Sequence, residues 1–104
     1  MILTSIESVP GREIASALGV ARGSTVRARN VGRDIFAGLK NLVGGEISEY
    51  TKLQAQAREE AIRRMIADGE SLGADAIINI RFNTAMIMTG TAEILAYGTA
   101  VKLK

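Results

Sequence analysis

The hydrophobic residues of this chain change period twice, and that change limits its fold more than any other feature. Segments near both ends alternate apolar and polar side chains, the period-two pattern of half-buried strands, whereas the middle repeats at helical spacing. Residues 1–5 read as a short strand, and Pro10 with Gly11 marks a turn. Residues 13–21, carrying Ile14, Leu18 and Val20, and residues 24–29, where Val26 and Ala28 alternate with Thr25, Arg27 and Arg29, read as two strands joined by a hairpin at Gly23. Residues 76–84 alternate again, with Ala76, Ile78, Ile80 and Phe82 on one face and Asn79, Arg81 and Asn83 on the other. A link around Thr89, Gly90 and Thr91 leads to a last strand over 92–104. Its Leu95, Tyr97, Val101 and Leu103 share one face; Ile94, Ala96, Gly98 and Ala100 share the other. That second face is small enough for another backbone or helix to come close.

Between the strands the spacing predicts two helices. Over 32–43, Ile35, Leu39, Leu42 and Val43 fall on one helical face; Asn30 suits the N-cap, Asp34 the first turn, and Gly44 with Gly45 the end. Over 49–72, with Ser48 as cap, the apolar stripe is Tyr50, Leu53, Ala57, Ala61, Met65 and Leu72. The alanines let this helix lie close to a sheet or a partner, Gly69 weakens its last turn by roughly 1 kcal/mol relative to alanine, and Gly73 closes it. Strands kept apart from helices define an α+β fold, expected here as an antiparallel sheet with two consecutive helices packed on one side. Ile77 and Ile94 leave both sheet faces partly apolar, so the pattern does not choose the covered face.

With 104 residues and no linker, repeat or low-complexity tract, the chain reads as one domain, 1–104. Its 47% hydrophobic and 23% charged residues exclude disordered and fibrous classes. So short a chain buries only about two-thirds of its surface alone, so self-association would help it. It has no cysteine and no histidine, which removes disulfides, Cys and His catalysis, and zinc sites built on sulfur or imidazole. A net charge of +2 is too small to argue for nucleic acid. The longest apolar runs, such as Ala85 to Met88, are four residues, far short of the roughly 20 a membrane helix needs. The first seven residues lack a basic region and a long apolar core, so no signal peptide is expected and the location expected is cytoplasmic.

Several groups bear on chemistry. Gly44 and Gly45 before a helix suit a phosphate cradle, but the lysine and hydroxyl of a phosphate loop do not follow, and a helix cap plus turn explains them as well. Arg22, Arg27, Arg29 and Arg33 form a candidate anion or nucleic-acid patch; no aromatic residue is interleaved, and ion pairing is the plainer account. Met86 and Met88 place two thioethers on one strand face, a soft-metal set without His or Cys to complete it and otherwise ordinary apolar packing. Glu46 and Glu49 flank a turn and form the nearest approach to a hard-cation pair, whereas Glu59 and Glu60, adjacent on a helix, diverge. Tyr50 and Lys52 fall on different helix faces.

The runs Leu42–Glu46, Tyr50, Ala57–Glu59, Leu72-Gly73-Ala74-Asp75-Ala76 and Tyr97-Gly98-Thr99-Ala100-Val101 together resemble the YbjQ-like family over essentially the whole chain. These are small bacterial and archaeal proteins of unknown function with a heavy-metal-binding label. The resemblance implies a ring-forming α+β subunit, typically a homopentamer and sometimes a paired decamer. Gly98, Ala100 and the alanine-rich helix would serve close intersubunit packing. It brings no established catalytic residues and leaves the cofactor unknown, a metal being allowed but without His or Cys ligands. Relatives often carry acidic residues on the strand after Ala76, where this chain has Arg81 and Asn83. The expectation is a non-enzymatic cytoplasmic oligomer binding a metal or small anion, with Arg33, Asp34, Gly44, Gly45, Glu46 and Tyr50 as candidate ligand-binding residues. Ring symmetry would multiply each of them. The alternatives are an intersubunit enzyme site around the Gly44–Gly45 turn, drawing on Asp34, Glu46 and Tyr50, and a weak nucleic-acid binder using the four arginines.

Overall fold

A computed structural model describes residues 1–28, 47–88 and 91–104. The elements are β1 (Ile2–Leu3), β2 (Ile14–Ala28), α1 (Ile47–Ser71), β3 (Ala76–Met88) and β4 (Thr91–Leu103). They build one four-stranded sheet in the order β1-β3-β4-β2. β4 pairs antiparallel with both β2 and β3, and β1 pairs parallel with β3 through Ile2 opposite Ala76 and Leu3 opposite Ile77. The sheet is therefore mixed rather than wholly antiparallel. Residues 1–6 leave no room for a hairpin to β3, so they can join its edge only after the chain has travelled through β2 and α1. The helix expected over 32–43 lies outside the described residues.

The turn at Pro10 and Gly11 is present, closed by the Arg12 N–H donating to the Val9 carbonyl at 3.0 Å. The hairpin expected at Gly23 is not. β2 runs unbroken for 15 residues, because Gly23 is a contact point and not a turn. A Cβ there would lie under 3 Å from Met65 N, Ala61 O and Arg64 C, all backbone atoms of α1. The helix lies directly on the strand at a position with no side chain.

α1 covers one face of β2 and β4. Ala57, Ala61 and Met65 are buried, as expected, but Leu72 is 40% exposed and leaves the stripe. Gly69 takes the next i+4 place instead, packed on the Ile77 side chain. With Ala21, Ile77, Ile94, Ala96 and Ala100 these residues form the main core. The Thr25 hydroxyl, buried under the helix, donates to the Ala57 carbonyl at 3.0 Å. α1 begins at Ile47, so Ser48 is inside the helix rather than its cap. Its other end closes on Gly73, whose φ of 80° gives a left-handed cap. Ala74 N–H donates to Gly69 O and Gly73 N–H to Glu70 O, both at 3.0 Å, the paired bonds of a Schellman motif.

A second, smaller cluster of Val9, Ala76, Ile78 and Val101 packs on the opposite sheet face. The alternation of β3 is broken between them. Ile78 pairs with Thr99 and Arg81 with Tyr97, so Asn79 and Ile80 both stand opposite Gly98. This β-bulge adds one residue and turns the rest of the strand over. Ala76 and Ile78 lie on one face, while Ile80 joins the helix-side core and Phe82 follows it opposite Ala96, so the four do not share a face as expected. Asn79 holds φ at 53°, a left-handed backbone that Asn tolerates better than most residues. Gly98 fills the notch: a Cβ there would meet Ile77 Cγ2 and the Ile78 carbonyl at 2.7 Å.

Candidate functional site

The face of the sheet away from α1 carries side chains of β2, β4 and β3. Register sets its side chains in rows. Arg22, Tyr97 and Arg81 stand side by side across β2, β4 and β3; next come Ser24, Leu95 and Asn83, then Val26, Glu93 and Ala85. Residues directly opposite in such ladders have Cβ atoms about 5 Å apart, so two guanidinium-bearing side chains flank one phenol ring. The Arg81 guanidinium is anchored, its Nη1 donating to Ser5 O at 2.7 Å and Ile80 O at 2.9 Å. Sequence spacing alone missed Arg81 as a neighbour of Arg22, because their proximity comes from a shared partner on β4.

Of the expected arginine patch, Arg22 is on this face, Arg27 stands opposite Ala92 in the ladder, and Arg29 and Arg33 are outside the described residues. The candidate ligand residues Arg33, Asp34, Gly44, Gly45 and Glu46 are also outside them. Tyr50 lies in the first described turn of α1. Met86 and Met88 are 77% and 63% exposed. They stand opposite Ala92 and Thr91, adjacent residues of β4, across a register shift. Side chains alternate along β4, so the two thioethers point to opposite faces and are not the paired set expected.

Two of the runs that carry the family resemblance, Leu72–Ala76 and Tyr97–Val101, are joints. Asp75 sits between the Schellman turn and β3. One carboxylate oxygen accepts the Leu103 N–H at 2.9 Å, the other lies 3.5 Å from Lys102 Nζ, and its own N–H donates to Val101 O at 2.9 Å. The Leu103 N–H, then the Lys102 ammonium, hold its carboxyl below the ordinary aspartate value. Gly98 is the notch opposite the bulge, and Ala100 is buried within the subunit under α1. These small residues serve the chain's own core, not an intersubunit contact as expected. On the helix surface, Glu60 pairs with Arg63 at 2.5 Å and Arg64 at 3.3 Å, and the Glu60 carboxylate raises the Arg63 pKa further.

The molecule is a helix-backed mixed sheet of the α+β class, with a basic and aromatic row on its open face. A crystal structure of a protein of unknown function from Pediococcus pentosaceus, a DUF74 family member, shares this fold with a TM-score of 0.67 at 18% identity, covering 100% of this chain and 98% of that one. The chain belongs to the YbjQ family, whose model, described as "Putative heavy-metal-binding", matches residues 1–104. UPF0145 proteins of Archaeoglobus fulgidus and Vibrio campbellii are 59% and 53% identical to it, over 100% and 99% of this chain and 96% and 99% of theirs. One from Methanosarcina acetivorans is 54% identical over 99% of this chain and 97% of its own.

The described residues do not fit the metal that the family description suggests. The sequence has no cysteine or histidine. Among the described residues no three carboxylates converge, and Glu13, Glu60, Asp68 and Asp75 already hold Lys104, Arg63 with Arg64, the Arg22 N–H, and Leu103 with Lys102. Exposed methionine and scattered carboxylate are a poor donor set for a soft or borderline ion.

Proposed function

We propose that this YbjQ family protein is a cytoplasmic homo-oligomer, a pentameric ring, that acts as a non-enzymatic binding or scaffold protein. The observation that supports this is surface area. The chain exposes 6900 Å², whereas a compact monomer of this mass exposes about 5,700 Å². Its radius of gyration is 17.1 Å, against about 13 Å for a compact domain of this length. The excess, about 1,200 Å², is larger than the roughly 800 Å² that one partner contributes to a standard interface. Exposed apolar side chains accompany it: Val20, Val26, Phe82, Met86, Ile87 and Met88 are each between 48% and 77% exposed.

A metal or small anion is then held between subunits rather than within one. A closed ring turns one guanidinium or carboxylate into a set of five, which overcomes the thin donor set of the single chain. Native mass spectrometry of untagged protein purified without chelator tests both parts. A five- or ten-fold assembly with additional mass supports the ring and its ligand. A bare ring supports the scaffold reading alone, and a monomer at micromolar concentration overturns the proposal.

A further inference from the structure

The sheet has two outer edges, and they are treated differently. On β2 the outward backbone groups meet side chains of α1: the Arg22 N–H donates to Asp68 Oδ2 at 2.9 Å, and Arg64 Nη1 donates to the Ser24 carbonyl at 2.6 Å. Such contacts blunt an edge against further pairing. On β3 the outer edge is covered only at its start. β1 pairs with Ala76 and Ile77, and the bulge amides of Asn79 and Ile80 donate to Ile6 O and Thr4 O. From Arg81 to Met88 no described residue pairs with that edge, and all eight residues are exposed. The stretch after Arg81 is Phe82, Asn83, Thr84, Ala85, Met86, Ile87 and Met88, seven residues without a charge or a proline. It has none of the side chains that proteins place on solvent-facing edges to prevent pairing.

We infer that the outer edge of β3 over residues 81–88 is the surface on which a second copy of this chain adds a strand. This deepens the oligomer proposed above and rests on it. A row of alternating N–H and C=O groups that no described residue pairs with is matched by another strand, since main-chain groups supply the hydrogen bonds in such augmentation. Phe82 and Met86 stand beside Ala96 and Ala92 on the helix side of the sheet, yet they are 48% and 77% exposed. An added strand carries that layer outward and covers them. The area suffices as well, because the chain's surplus surface of about 1,200 Å² exceeds the roughly 800 Å² needed for one side of a standard interface. A neutral segment also accepts a partner strand in either direction without opposing like charges.

The test pairs hydrogen exchange with two variants, Met86→Lys and Thr84→Lys, each introducing at an exposed position the charge that edges normally carry. In the wild-type protein the amides of 81–88 are expected to be protected at least tenfold more at high than at low subunit concentration. Each variant is expected to keep the wild-type far-ultraviolet circular dichroism while its native mass spectrum shifts to smaller species. If wild type is an oligomer and both variants keep the same assembly, the edge assignment is overturned while the oligomer stands. Concentration-independent exchange over 81–88 overturns it too, and a monomeric wild type overturns both. Should a variant lose its fold, wild-type exchange over this segment alone decides.

Discussion

At the scale of single residues, two positions carry the packing and each can be tested alone. Gly23 is where the α1 backbone rests on β2, so a methyl group there has no flexible neighbour to displace. Gly23→Ala is expected to cost about 3 kcal/mol through overpacking, measured by urea unfolding at fixed subunit concentration. Asn79 is held at φ 53° by the bulge. Asn79→Gly is expected to be neutral or slightly stabilising, whereas Asn79→Val should lose about 2 kcal/mol to left-handed strain. Equal effects of the two substitutions would contradict the bulge. Alternation made the apolar residues around Asn79 legible but not the bulge itself, because an inserted residue leaves no period of its own.

At the scale of elements, the joint between helix and sheet is the informative piece. Gly73 ends α1 and Asp75 immediately ties the new strand to the end of β4, through the Leu103 N–H and Lys102. The Asp75 carboxyl is lowered from its usual value in the folded chain. A depressed acid stabilises the fold above the unfolded-state pKa, near 3.9, and that contribution is lost as pH falls through the folded value. Thermal melts of wild type and Asp75→Asn should therefore differ at neutral pH and converge as the pH falls through the lowered folded-state value. A gap that persists in acid would mean that the carboxylate's charge is not what matters. The run Leu72 to Ala76 was legible as a helix stop, since Gly73 has a local conformational signature. Asp75's partner, 28 residues away, was not.

At the scale of the whole molecule, the chain has more surface than its mass warrants and an apolar strand edge. An association that binds only folded subunits raises apparent stability with concentration. The melting temperature is expected to rise by several degrees between about 1 and 100 μM subunit, as mass action requires of a coupled assembly. A melting temperature independent of concentration would argue for a self-sufficient monomer. The same scale explains the basic row on the open face. Arg22 and Arg81 are neighbours because Tyr97 lies between them in the sheet, a proximity that three separate stretches of sequence do not advertise.

The sequence by itself determined what depends on near neighbours. The strand at 76 onward, the long helix ending at Gly73, the Pro10 turn and the two faces of β4 follow from period, cap and turn chemistry, which act over a few residues. Only the tertiary structure decided what depends on the residue across the gap. The parallel docking of β1 beside β3, the merging of two expected strands into β2, the reversal of β3 at Asn79, and the burial of Gly98 and Ala100 inside the subunit all belong there. In each case the deciding partner is distant in sequence, and steric fit against that partner, not local propensity, sets the outcome.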